Sequence, residues 1–468
     1  MTDAPRPGRA APPRMLTVAL SLGGFTSAFV YVTPVPLQAL LPELFETTRA
    51  ETAWVMTAAL VTAVIVTPIA GRLGDLYGRR CVLLALIAIL ITGSVLAAAS
   101  SSIFMLIAAR FLQGCIAGAV PLGVSIINEL RTGSQRARDI AIVSSSLGVG
   151  AAMGLPASVL LTEGFGWRSA FLAAAAVGAI TLLLILWQAP RDTPTTPARF
   201  DVLGAIGLTL GISLLMTALA GGPLWGWGSA GFLGLVALGL AVLAPWCWYE
   251  LRTASPLLDL RLAAKPTTLL TNLACVGSGF ALLGSNVTLP QVLELPIGVG
   301  MGLEPLPTSF IIMLSGVAQI AVAPFAAAIA ERTSPKTVLI AGLLACIAAF
   351  GLALIGTQPW HLVIVHILIG MGIGLSYSVT PLLILRHSPL TQGAEVMGIN
   401  AVFRGIGTAG ATAVIGSVLA ADIIAVNGVH APTTRAFATS HLIVIVVLAA
   451  ATALSLLLPR EPKPIRRG

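Results

Sequence analysis

Gly71-Arg72-Leu73-Gly74-Asp75-Leu76-Tyr77-Gly78-Arg79-Arg80 is a decapeptide of small and charged residues wedged between two long apolar runs. Charged residues make up 9% of the 468-residue chain, yet four of them stand here. The surroundings are the opposite: the chain is 57% hydrophobic with a mean hydropathy of +0.96. A soluble chain is roughly 45–50% apolar and about 25% charged. Apolar runs of about 20 residues, the length that crosses a bilayer as a helix, recur from Met15 to Leu458. The ten-residue alternation of a membrane barrel is absent. The composition reads as an all-α polytopic membrane protein whose partner is the lipid bilayer.

Working outward from the decapeptide, the hydropathy predicts fourteen spans. They fall at about 15–38, 52–71, 81–101, 104–128, 139–161, 167–188, 203–222, 229–249, 267–290, 307–330, 337–357, 360–383, 396–420 and 437–458. The decapeptide is then a turn between spans two and three, with its glycines permitting a tight reversal. Of the 26 Lys and Arg, all but Arg49, Arg110, Arg168, Arg404 and Arg435 fall on one side when the N-terminus is placed inside. By the positive-inside rule both termini are cytoplasmic and the protein lies in the cell (inner) membrane. The net charge of +8 is dealt out loop by loop, which argues against a nucleic-acid partner. The five cysteines have no metal spacing and read as packing residues.

A second, eroded copy of the decapeptide lies 256 residues on. Small, acidic and basic positions of 71–80 land on Ala327, Glu331 and Lys336. At the same offset Gly114 and Gly118 land on Gly370 and Gly374. One residue later in register, Gly148 and Gly150 land on Gly405 and Gly407. Three matches in order indicate a duplication. The expected organisation is a tail over 1–14, a six-helix bundle over 15–188, an inserted helix pair with its loops over 189–265, a second six-helix bundle over 266–458 and a tail over 459–468. An even-span unit repeats without inverting, so the halves are parallel.

The decapeptide resembles the signature loop of the major facilitator superfamily. Arg110-Phe111-Leu112-Gln113-Gly114 resembles that family's fourth-span motif, and Gly150 to Pro156 its exporters' fifth-span motif. The inserted pair, with Asp201 and Gly204 before span seven, is similar to the fourteen-span drug:proton antiporter branch. The resemblance implies a fold of 6+2+6 helices and alternating access. It makes Asp75 a charged contact to a neighbouring helix end that holds the cytoplasmic side closed, with Gly71, Gly78, Arg79, Arg80, Glu331 and Lys336 as its company. It also marks a departure. That branch carries an Asp in span one, and Thr33 stands in its place here.

The candidate cavity or coupling residues follow from charge in apolar spans. Arg110 sits inside span four, where a charge seeks a cavity or partner, with Gln113 one turn along the same face. Snorkelling to the outer face is the alternative. Arg404 is expected to line the cavity, with pairing to a helix end as the alternative. His366 is the repeat counterpart of Arg110 and either titrates or bonds within its helix. Glu129 and Asp139 flank the 4–5 loop and read as capping or interfacial charges; with Asp75 they are also the acids of the first half placed to carry a proton. Arg72 reads as a solvated loop charge. Gly148, Gly150, Gly154 and Pro156 form a hinge and packing site.

Gly405-Ile406-Gly407-Thr408-Ala409-Gly410 spells a dinucleotide fingerprint, but it lies inside a span with no preceding strand. With no Walker A sequence either, no cofactor is expected. The sequence reads as a secondary active transporter, monomeric, exporting an amphipathic or cationic small molecule in exchange for protons. Few embedded carboxylates argue against a strongly polycationic substrate. An importer on the same fold is the alternative. A membrane enzyme is remote, since His387 has no acid near it in sequence.

Overall fold

Leu, Ala, Val and Gly fill the long runs, and glycine, proline or a capping hydroxyl marks their ends. In the computed structural model these runs become helices. It describes residues 15–38, 40–190, 200–253, 255–356, 358–386, 388–389, 392–426 and 429–459. The two terminal tails, Arg191, Arg199 and His387 lie outside the described residues. Among those described, fourteen helices are long and apolar enough to cross a membrane.

The helices are α1 Met15–Val32, α2 Arg49–Tyr77, α3 Arg79–Ala98, α4 Ile103–Leu130, α5 Gly133–Phe165, α6 Trp167–Gln188 and α7 Val202–Trp225. They continue as α8 Ala230–Arg252, α9 Pro266–Glu294, α10 Pro305–Arg332, α11 Pro335–Ile355, α12 Pro359–Leu385, α13 Gly393–Ala421 and α14 Thr434–Leu456. Side-chain caps start many of them: Ser102, Asp201, Ser229, Ser334 and Thr433 each accept an amide of the first turn. A 3-10 turn at Cys115–Gly118 interrupts α4.

Two expectations are corrected. The first span stops at Val32 rather than residue 38, because Pro34 and Pro36 withdraw amides and restrict the residues before them. The decapeptide is not a loop: α2 runs through Gly71 and Gly74 to Tyr77, and Gly78 alone, at φ 105°, turns the chain into α3. Between α13 and α14 the chain forms a small antiparallel hairpin, β1 Ile423–Val426 with β2 Val429–Pro432.

The duplication is visible in the contacts. A Cβ on Gly114 would stand 2.5 Å from the Ala59 carbonyl, and one on Gly370 would meet the Ser315 carbonyl, so α4 touches α2 as α12 touches α10. Gly150 presses on the Phe25 carbonyl of α1 as Gly407 presses on the Val276 carbonyl of α9. Such close backbone approach is how helices associate where lipid removes the hydrophobic drive. Each half has an apolar core, around Leu83, Ile87, Leu90 and Leu122 in the first, and around Leu339, Phe350, Val365 and Leu448 in the second.

The halves meet along two seams. On one, Gly148 of α5 faces Gln319 and Gly316 of α10. On the other, Gly398 and Gly405 of α13 face Pro68 and Val64 of α2. The inserted pair covers this second seam: Leu208, Ile212 and Trp246 of α7 and α8 share a cluster with Val64 of α2 and Ile399 of α13.

Candidate functional site

At the α2–α3 turn, charge is buried. Asp75 is 2% exposed. Its Oδ1 accepts from Arg79 Nε at 3.0 Å and Nη2 at 2.8 Å. Its Oδ2 accepts the backbone amide of Glu395 at 2.9 Å. That amide belongs to the first turn of α13, where helix donors lack intrahelical partners and the dipole favours an anion. Arg79 also donates to Glu129 at 2.9 Å. Arg72 donates to the Glu395 carboxylate at 3.2 Å. The Asp75 to Glu395 and Arg72 to Glu395 bonds therefore cross between the halves. Gly71 permits this approach, since a Cβ there would stand 2.5 Å from the Ala394 carbonyl.

The reading of Arg72 as a solvated charge is thus corrected. It is buried and paired, because α2 continues past it and α13 closes over it. Glu395 escapes a reading of the sequence altogether. Its signal is an acid in the first turn of span thirteen, but its partner lies over three hundred residues away. Arg80 donates to the Leu186 carbonyl at the end of α6. Its counterpart Lys336 does the same for the Leu456 and Leu458 carbonyls at the end of α14. Glu331 is exposed.

Arg110 is fully buried and does not snorkel. It donates through Nε to the Val55 carbonyl at 2.8 Å and through Nη1 to the Val30 carbonyl at 3.0 Å. Nη1 also reaches Gln113 at 2.6 Å, and Gln113 donates to Ser94 at 2.9 Å. One arginine thereby ties α4 to α1, α2 and α3. His366 bonds the Leu362 carbonyl of its own helix at 2.8 Å. Asp139 lies 3.1 Å from Arg131. Thr33 is buried, its hydroxyl on the Phe29 carbonyl and its own carbonyl accepting from Ser158. Gly154 packs against α1 at Phe29, and Pro156 is buried within an unbroken α5.

Between the halves lies a small cavity. Its wall comes from both, with Val120 and Ser144 from the first and Cys275, Tyr377, Asn400 and Arg404 among those from the second. Among the described residues, Arg404 is the one ionic side chain in that lining, its guanidinium 5.1 Å from the Tyr377 ring centre. The Tyr377 hydroxyl is buried without a hydrogen-bond partner among the described residues. Arg110, Gln113 and His366 are not part of the lining.

Two like halves that meet over a polar-spotted cavity, bolted together at one end by an ionic latch, define a membrane transporter rather than an enzyme. The profile of the Major Facilitator Superfamily matches residues 20–412 and 273–468, and the chain belongs to that superfamily. A multidrug resistance protein B homolog of Mycobacterium tuberculosis is 28% identical over 379 residues, 78% of this chain and 69% of that protein. The multidrug transporter protein MdtP of Bacillus subtilis is 26% identical over 376 residues, 78% of this chain and 68% of that one. Among solved structures, the human organic anion transporter MFSD10 superposes with a TM-score of 0.65. The match covers 95% of this chain and 100% of that one at 16% identity, a likeness of fold.

Proposed function

We propose that this protein exports amphipathic, drug-like small molecules from the cytoplasm by alternating access, in exchange for protons. The observation that carries the reading is the Asp75–Glu395 latch, which joins the two halves at one end of a cavity that both halves line. Opening that latch would part α2 from α13 and open the cavity toward that end. The relatives named for multidrug resistance and multidrug transport support a drug as cargo. The arginine distribution supports a latch end that lies, with both tails, on the cytoplasmic side of the cell membrane. Each chain supplies a whole cavity, so a monomer suffices.

The cavity narrows the cargo. Its one charge among the described residues is positive, and Tyr377, Ser144 and Asn400 offer neutral polar groups among apolar walls. Neutral or anionic amphiphiles suit it better than polycations. Asp75, Arg72, Arg79 and Glu395 act as the gate. Arg110 with Gln113 fixes the helix positions around the cavity, and Gly148 with Pro156 lets α5 flex. The test is reconstitution in liposomes with an imposed pH gradient or, separately, a membrane potential. Dye efflux driven by the pH gradient supports exchange. Efflux driven by potential alone, indifferent to pH, refutes it.

A further inference from the structure

The acids that the sequence offers as proton carriers are already matched. Arg79 serves both Asp75 and Glu129, and Arg131 stands beside Asp139. At the foot of the inserted pair two other acids are not matched.

Asp201, 8% exposed, caps α7. Its Oδ1 accepts the Gly204 amide at 2.8 Å and the Tyr249 hydroxyl at 3.1 Å. Glu250, 2% exposed, sits near the end of α8, and its Oε2 accepts the Leu258 amide at 3.4 Å. The other two oxygens, Asp201 Oδ2 and Glu250 Oε1, are buried with no hydrogen-bond partner among the described residues. They converge. A Cβ built on Gly204 would stand 2.6 Å from Asp201 Oδ2 and would overlap Glu250 Oε1. Trp246 donates to the Gly204 carbonyl and pins α7 to α8 at this point.

The charged neighbours are engaged elsewhere. Arg72 of α2 is bonded to Glu395 of α13, Arg261 donates to the Leu251 carbonyl, and Arg252 lies over the Trp248 ring. The Asp259 carboxylate accepts the Arg261 and Leu262 amides. Two unscreened carboxylates repel strongly in a low-dielectric site, and a shared proton turns that repulsion into a charge-assisted O–H···O bond.

We propose that Asp201 and Glu250 form a proton-binding site, a single proton held between Asp201 Oδ2 and Glu250 Oε1 with one negative charge left on the pair. The proposal deepens the proton-exchange reading and rests on it. The site is wired to the latch. Glu250 holds the amide of Leu258, and the next amide, of Asp259, is held by Glu395 at 2.6 Å. Arg72 is the cation whose field reaches Glu250, and its Nε is buried without an acceptor among the described residues. When the proton leaves to water, the second negative charge pulls Arg72 toward the pair and away from Glu395. Deprotonation loosens the α2–α13 seam, and protonation frees Arg72 to close it.

Infrared difference spectroscopy of the whole purified protein, titrated from acid to alkaline pH, tests the site without any transport. The expected result is a protonated-carboxyl carbonyl band that disappears on alkalinisation and is lost equally in Asp201→Asn and in Glu250→Gln. A band that survives either substitution, or a wild type with none assignable to these residues, overturns the proposal. Dicyclohexylcarbodiimide, which reacts with protonated carboxyls, gives a check on the wild-type fold. Labelling at Asp201 or Glu250 that falls as pH rises supports the site, and no labelling there at acid pH overturns it. If the band behaves as expected but liposomes show no pH-driven efflux, the exchange reading fails and the site stands.

Discussion

Residues 71–80 and 327–336 are copies of one sequence, yet only the first bolts the molecule together. The final cation of each plays the same part. Arg80 and Lys336 cap the last turn of the sixth helix in their half, where the dipole favours positive charge. What differs is the acid. Asp75 is buried between Arg79 and the first turn of α13, whereas Glu331 is exposed. Its register puts Thr333 to Pro335 where the first copy has Tyr77 to Arg79, so the arginine that steadies Asp75 has no equivalent. The seam that faces it, α5 against α10, closes instead on alanines at 137, 141, 323 and 327. A duplicated loop thus keeps the contact that builds a half and loses the contact that joins halves. The asymmetry leaves these inter-half polar bonds on α2 and α13, beside the inserted pair.

The largest effect should come from striking the first copy. In Asp75→Asn the α13 amide keeps an acceptor and Arg79 keeps Glu129 but loses its buried counter-ion, and removing one partner of a buried pair costs up to about 3–5 kcal/mol. Since about 1.4 kcal/mol is a tenfold change in an equilibrium, efflux from liposomes should fall at least about tenfold while membrane insertion persists. Unchanged efflux would break the comparison. Arg72→Glu combined with Glu395→Arg should recover part of what each single change loses, a coupling of about 0.5–3 kcal/mol.

The fourth span repeats the contrast. Arg110 binds carbonyls of α1 and α2, while its counterpart His366 bonds, among the described residues, within its own helix. Arg110→Lys replaces a planar fork with a point charge that cannot reach both carbonyls and Gln113 together. Thermal stability in detergent should drop by about 1–3 kcal/mol, the cost of stranding buried acceptors. His366→Gln should cost less. Arg404→Gln should leave stability alone and shift cargo choice, weakening efflux of anionic amphiphiles relative to neutral ones. Equal loss for both would detach Arg404 from cargo recognition.

Much of this is legible in the sequence because lipid leaves few choices. Apolar length marks the helices, and Gly114 with Gly370 shows the duplication without any contact being known. The failures have a common physical cause. Arg72 reads as a solvated charge because a glycine-rich charged stretch resembles a turn, yet Gly71 and Gly74 serve close helix contact, with Ala394 and Leu122, rather than chain reversal. Burial of Arg72 depends on Glu395, and that of Glu250 on Leu258 and the inserted helix, through pairings that no local pattern announces. Charge at a span edge can face water or a neighbouring helix, and only the packing decides which.

The smallest effect is the sharpest test of the comparison, because it predicts near silence in the second copy. Glu331→Gln removes an exposed charge, and exposed pairs are worth about 0–1 kcal/mol. Lys336→Gln loses a cation at the end of α14, about 0.3–1 kcal/mol in an exposed setting. Neither touches the α2–α13 seam, so efflux should stay within about twofold of wild type, while Lys336→Gln alone lowers the melting temperature slightly. If Glu331→Gln instead matched Asp75→Asn, the α5–α10 seam would need its own ionic latch in another state of the cycle. Glu331 would then swing onto the first turn of α5 when α2 and α13 part, and the two copies would be alternating partners rather than a working loop and its relic.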